Sequence, residues 1–162
     1  MKAADLRARA SRRDRVRYFD DFTVGRRFEH HWGRTLTETD NTLLSTLTLA
    51  YNPLYFNRDR ARAAGHRETV VNPMLLLMTT IGLSVEDLSE SGGAFLGLDN
   101  LTFHRPVLIG ETLTAASTVV AARRSDSRPD MGIVTWDTEG NIGSDLVIAF
   151  RRTNLIRTRE AR

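Results

Sequence analysis

The chain has 162 residues, 41% of them apolar and 27% charged, which reads as one soluble domain with a real core and calls for no second one. It holds no cysteine, which excludes a disulfide framework, a thiolate zinc site and a cysteine nucleophile. Residues 1–17 carry seven basic and two acidic side chains and residues 151–162 five and one, so the net charge of +3 divides into +9 at the ends and −6 on the body.

Arg7, Arg9, Arg12, Arg13, Arg15 and Arg17 form a basic arm over 1–17. Such an arm would suit nucleic acid or phosphate, but no aromatic residue interleaves with it and no groove-reading motif accompanies it. A solvated arm and no nucleic-acid partner are expected. The N-terminus lacks the apolar core of a secretory signal and no later run is long enough to span a bilayer, so a cytoplasmic location without a membrane partner is expected.

A turn-bearing entry segment, Tyr18–Gly25, precedes a first strand over Arg27–Leu36, where residues alternate. His30 and His31 must point to opposite faces of that strand. Thr37-Glu-Thr-Asp40 is a helix start, with Thr37 as cap and Asp40 in the first turn, and the helix is predicted through Leu43, Leu44 and Leu47 to Leu49. It must stop by Asn52-Pro53, because the residue before proline avoids the helical region. Residues 54–69 are polar and flap-like, with a short helix at Asn57–Ala64 closed by Gly65.

The stretch from Val70 to Leu88 is the only long, nearly uncharged apolar run. Asn72 can cap a helix there and Pro73 suits its first turn. Met74 to Leu83 is apolar all round, which predicts a helix buried on every side. After a turn at Ser89–Gly93 come four strands, Ala94–Phe103, Thr112–Arg123, Gly132–Glu139 and Asp145–Ile156, joined by short connections, the last at Gly140–Ser144. One central apolar helix wrapped by an antiparallel sheet is an α+β, hot-dog pattern. A single sheet on one helix leaves a face needing cover, so a homodimer is expected. The domain is set at 18–157, with a C-terminal tail at 158–162.

Several segments, taken in order and at these spacings, resemble MaoC-like hot-dog proteins, nearest to acyl-CoA dehydratases of the mesaconyl-CoA hydratase type. They are Tyr18–Gly25, Gly33–Asn41, Asn52-Pro53-Leu54, Val70-Val-Asn72, Thr80–Val85 and Ser127–Thr135. The resemblance runs from about residue 18 to about residue 157. It implies a hot-dog dimer that binds an acyl thioester, on coenzyme A or a carrier protein, in a tunnel near the subunit interface. No cofactor is expected. The resemblance also implies reversible addition of water across a 2-enoyl thioester by a carboxylate and a histidine, with the thioester oxygen held by a backbone N–H at the start of the central helix.

At each of those three points the chain differs. The family's aspartate position falls on Ala50, its histidine position on Tyr55 and its glycine on Pro73. Alanine takes no proton, tyrosine near its reference pKa of about 10 is a poor base at neutral pH, and proline has no N–H. By carry-over, Tyr51, Asn52 and Tyr55 occupy the site. They either orient a ligand or serve packing and a turn ahead of Pro53. Asn72 is a helix cap or a ligand-facing amide. His104, at a strand end, is a replacement base or a structural residue. Arg128, with Arg123 and Arg124, resembles the family's phosphate-bearing end or forms a solvated turn. His66 and Glu68 are close enough in sequence to pair.

No metal spacing, glycine-rich phosphate loop or Ser-His-Asp order signal is present. The first expectation is therefore an enzyme with an altered site, performing non-standard dehydration or hydration, isomerisation or cyclisation of a thioester or a related polyketide-like small molecule. Tyr55, Tyr51 and His104 would then be catalytic, and Asn52, Asn72 and Arg128 would bind substrate. The alternative is a non-catalytic chain that pairs with an active hot-dog partner. A thioesterase using Glu86 or Asp87 is the third.

Overall fold

The computed structural model describes residues 16–161. The expectations placed on Arg7, Arg9, Arg12, Arg13 and Arg15 therefore lie outside the described residues. In chain order the elements are β1 (Arg27–Glu29), β2 (Arg34–Thr35), α1 (Glu38–Leu47), α2 (Arg58–Ala63), α3 (Pro73–Leu88), β3 (Phe95–Phe103), β4 (Thr112–Arg124), β5 (Met131–Ile142) and β6 (Asp145–Arg157). Short 3-10 turns stand at Phe19–Asp21, Pro53–Tyr55 and Arg159–Ala161. The six strands form one sheet in the order β1-β4-β5-β6-β3, with β2 also on β4, and every pairing is antiparallel. With α3 laid across one face this is the α+β hot-dog arrangement.

The helix α3 begins where its caps require. Asn72 Oδ1 accepts from the Met74 N–H at 2.9 Å, and Pro73 fills the first position, where a missing N–H costs nothing. Leu76, Thr80, Ser84 and Leu88, spaced by four, turn to the sheet. Small residues on this face let the helix sit close. Thr80 donates to the Leu76 carbonyl at 2.7 Å and Ser84 to that of Ile81 at 2.6 Å, so neither hydroxyl is left unpaired. Gly140 completes the approach, since a Cβ there would lie 2.6 Å from Ile148 Cγ2 and 3.2 Å from Thr80 Oγ1.

Four expectations need correction. The helix is not buried on every side: Met74, Met78 and Val85 are exposed, Met78 by 60%, because the sheet covers only one flank of the cylinder. The first strand is broken into β1 and β2: His30 turns its side chain into the core with its N–H still on the Ala115 carbonyl, and the chain bends at His31 before it rejoins β4 at Arg34. The last hairpin is shorter than expected. β5 runs on to Ile142, and only Gly143 and Ser144 form the loop, with Gly143 at φ +59, the left-handed conformation such two-residue loops require. The helix α1 also stops at Leu47, two residues short of Leu49, which itself sits at φ +57.

The core falls into two clusters. One, under the start of α3, gathers Leu36, Val71, Leu76, Val107, Leu113, Val147, Ile148 and Phe150. The other, under its end, holds Phe22, Phe28, Leu88, Val119, Val134, Trp136 and Ile156. Along β4 and β5 the inward row between them is polar, Ser117 opposite Thr138. The C-terminus is tied to the entry segment, where the Arg159 guanidinium donates to both carboxylate oxygens of Asp21 at 2.7 and 2.8 Å. Among the described residues no helix is long and apolar enough to cross a membrane.

Candidate functional site

The segment after α1 is held in place by one buried side chain. Asn41, fully buried on α1, donates through Nδ2 to the Tyr55 carbonyl at 2.6 Å and to the Val70 carbonyl at 2.9 Å. Its Oδ1 accepts from the Asn72 N–H at 2.7 Å. A single amide therefore joins the 3-10 turn, the segment leading into α3 and the cap of α3. The Val70 N–H adds a bond to the Leu54 carbonyl at 3.0 Å, and Asn72 Nδ2 donates to Ser45 Oγ at 3.1 Å.

Around this hub the structure brings together four of the residues singled out from the sequence. Tyr51 is 59% exposed, Asn52 is exposed, and Tyr55 is half-buried with its backbone pinned by Asn41. Asn52 Oδ1 accepts from the Leu54 N–H at 3.1 Å and so starts the 3-10 turn ahead of Pro53. Asn72 is buried, and its side-chain amide is engaged on both sides, by Met74 and Ser45. Pro73 beside it has no N–H to offer a ligand.

The other two lie apart. His104 is exposed at the end of β3, its N–H donating to the Val147 carbonyl at 2.9 Å. Arg128 stands exposed on the β4–β5 hairpin, with Nε 3.7 Å from Asp130. Among the described residues no hydrogen bond links either to the 50–55 segment. Arg123 pairs with Asp126 at 3.2 Å and Arg124 with Asp20 at 3.6 Å. Glu68 takes Arg58 at 3.1 Å rather than His66.

Asn41 and Ser45 were not legible as site residues. The signal that could have found them is their spacing of four on a helix whose apolar side chains are all leucines. Leu43 and Leu47 are exposed and Leu44 half-buried, because the inner face of α1 meets carbonyls and an amide that leucine cannot satisfy.

A second polar group lies in the seam between the core clusters. His30 Nδ1 is 2.9 Å from Asp87 Oδ2, His30 Nε2 is 3.0 Å from Ser117 Oγ, and Ser117 Oγ is 2.8 Å from Thr138 Oγ1. The order His, Asp, Ser along the chain gives the sequence no motif, yet the fold assembles the relay. It is not arranged as a nucleophile site, because Ser117 is fully buried and its hydroxyl is engaged by both His30 and Thr138.

Burial pushes the His30 imidazole below its ordinary pKa, partly offset by the bond to Asp87, while nearby Arg152 adds to the lowering. The unfolded chain then takes up a proton on His30 near its reference value of about 6.5, and the folded chain only at lower pH. Stability from this residue is full above that value and is lost as pH falls below it. Urea midpoints at about pH 8 and about pH 5 should therefore differ more for the native chain than for His30→Gln. Equal differences would remove His30 as the cause.

Among the described residues no three His, Asp or Glu side chains stand close enough to hold a metal ion.

Comparisons with known proteins agree with this fold. The family model for mesaconyl-CoA hydratase matches residues 2–162. A mesaconyl-CoA hydratase of Haloarcula marismortui is 42% identical over 154 residues, which cover 94% of this chain and 43% of that protein. A solved MaoC domain protein of Chloroflexus aurantiacus superposes with a TM-score of 0.85 at 26% identity, covering 93% of this chain and 43% of that one. A Mycobacterium tuberculosis protein described as a double hotdog fold superposes at 0.78 with 25% identity, covering 90% of this chain and 46% of that one. The chain spans less than half the length of each of these three.

Proposed function

The chain belongs to the mesaconyl-CoA hydratase family, and from that premise we propose that it serves acyl-thioester hydration or dehydration as one hot-dog half of a two-hot-dog assembly, binding the acyl group while the other half handles the protons. The observation that carries the reading is what Asn41 pins beside the start of α3. The resemblance places a carboxylate, a histidine and an N–H donor there, and this chain has Ala50, Tyr55 and Pro73. Residues 46–56 contain neither Asp nor His, so a shift of register by one does not restore the pair.

The surface fits a partner of the same architecture. β3 is an edge strand with Phe95, Leu96 and Phe103 exposed, and Met74, Met78 and Val85 stand bare on α3. A long apolar edge and an uncovered apolar helix face both call for cover. A second copy of this chain and a different hot-dog chain carrying the acid and base are the two candidate partners. The substrate class is an unsaturated acyl thioester on coenzyme A, as the name of the Haloarcula relative implies.

The test is hydration of mesaconyl-CoA and crotonyl-CoA by the chain alone, run beside a light-scattering mass. The chain alone should turn over at least about 10²-fold more slowly than when co-expressed with a hot-dog partner, since a general acid–base pair contributes ~10²–10⁴ and one oxyanion donor ~10²–10³. Brisk hydration by a homodimer would sink this reading. If Tyr55→Phe then abolished that turnover, Tyr55 would be the catalytic group of an altered site, a role its half-buried place at the hub allows.

A further inference from the structure

Beside the later turns of α3 a tryptophan stands out of the surface in a fixed pose. Trp32, in the connection between β1 and β2, is 59% exposed, yet its Nε1 donates to Glu86 Oε2 at 3.0 Å and its ring lies 4.7 Å from that of His31. It separates two openings over the helix. One, of about 310 Å³, lies over Leu75, Gly82 and Leu83 and is bounded by Arg34 and Asp40, which pair with each other at 2.8 Å. The other, of about 450 Å³, shares Gly82 and Leu83 and is bounded by Glu86 and Glu90.

Gly82 floors both openings. A glycine inside a helix costs stability relative to alanine, and nothing within the chain requires this one, since a Cβ there would meet no atom within 4 Å. The space it leaves is the cleft itself. Glu86 and Glu90 lie at the C-terminal end of α3, where the helix dipole is already negative and the last turn holds no basic residue. Among the described residues Glu86 Oε1 accepts no hydrogen bond and Glu90 makes no ion pair, and the nearest basic group is His31 Nε2 at 3.7 Å from Glu86. An aromatic ring, two carboxylates and a negative helix end thus surround open space. An arginine side chain answers all of them: its guanidinium stacks on an indole, its fork takes carboxylate oxygens and its methylenes cover leucine.

We propose that this cleft binds a guanidinium group, with Trp32 against its plane and Glu86 and Glu90 as its counter-charges. The thioester reading above is not needed for it. Two sources carry the chemistry: a separate ligand, and Arg7, Arg9, Arg12, Arg13 and Arg15 of this chain, which lie outside the described residues.

The indole N–H signals in a proton–nitrogen NMR spectrum of the full chain test the proposal. The chain has two tryptophans, so the Trp32 signal is assigned by its loss in Trp32→Phe, and that of the fully buried Trp136 is the internal reference. N-acetylarginine amide should move the Trp32 signal saturably and leave that of Trp136 in place. N-acetyllysine amide, of equal charge but without the plane, should bind at least about threefold more weakly, and uncharged N-acetylcitrulline amide should not bind. Glu86→Gln, which keeps an acceptor for the Trp32 N–H, and Glu90→Gln should each weaken binding by about two- to fivefold. Gly82→Leu should abolish the shift while melting no lower than the native chain. With the five arginines replaced by Gln, unchanged binding assigns the cleft to a separate ligand. A displaced Trp32 signal and tighter binding in that variant assign it to the chain's own arginines.

The proposal is overturned if N-acetylarginine amide moves the Trp32 signal in neither the native chain nor the five-arginine variant, or if sodium chloride of equal ionic strength moves it as far. Survival of the shift in Gly82→Leu, or native affinity in the Glu86→Gln, Glu90→Gln double variant, overturns it too. So does a fall in light-scattering mass on Gly82→Leu, because the glycine would then serve contact between chains.

Discussion

Asn41→Leu should lower folding stability by about 3–5 kcal/mol, read as a lower urea midpoint at unchanged slope. The size follows from what the side chain satisfies. Leucine fills a similar volume but leaves the Val70 carbonyl and the Asn72 N–H, both buried, and the half-buried Tyr55 carbonyl without their partner. Each such orphan costs about 1–3 kcal/mol, with some relief at the Tyr55 end, where the turn meets solvent. Asn52→Ala is the comparison. It removes an exposed cap of a short 3-10 turn and should cost about 1 kcal/mol or less. If the two variants lose the same amount, Asn41 is not the hub described above. A loss confined to Asn41 should also release the 50–55 segment, so any ligand affinity carried by Tyr51 and Tyr55 would fall with it.

Gly93→Ala should be at least as damaging, at about 4 kcal/mol or more. A Cβ at Gly93 would lie 1.7 Å from the Leu155 carbonyl oxygen and 2.7 Å from its carbon, and the residue sits at φ +137. The clash is with backbone, so no rotamer relieves it. That backbone is also held from two sides, by the Ile133 pairing on β5 and by the Leu155 N–H donating to the Ala94 carbonyl at 2.9 Å. Gly92→Ala separates conformation from contact. Gly92 has φ +83 and open space around it, so alanine should cost only the left-handed penalty of about 1–2 kcal/mol. Equal effects at the two positions would mean that the approach of Gly93 to β6 does not matter.

These two sites bear on function through the same helix. Asn41 fixes where α3 begins and Gly93 fixes where the chain leaves it for the sheet, so between them they set how the helix lies over the concave face. The hydratase-like scaffold is therefore held by groups that do no chemistry themselves. The chain keeps this frame while carrying Ala50, Tyr55 and Pro73 where the resemblance puts the acid, the base and the N–H donor, and the partner test above decides between the proposed role and an altered site in this chain.

What the sequence determined by itself is the part governed by local rules. Asn72-Pro73 starts α3 where a cap and a donor-free first residue belong, Thr37 and Asp40 form the reciprocal cap of α1, and the four later strands stand close to where alternation puts them. Propensity, capping and period depend on neighbours a few residues away, and those are written in order along the chain. The family resemblance was legible for the same reason, as short motifs at fixed spacings.

Only the tertiary structure decided which polar residues are buried together. Asn41 meets Tyr55, Val70 and Asn72 across up to 31 residues, His30 meets Asp87 across 57 and Ser117 across 87. Nothing in the local pattern distinguishes an inward asparagine or histidine from an outward one. The outward leucines of α1 and the bare methionines of α3 misled for the converse reason, since periodicity reports which face is apolar and not whether a single sheet reaches it. The place of Arg152 is of the same kind. Its buried position follows from its register opposite Trp136 on the concave face, and register is a property of paired strands that a chain read end to end does not contain.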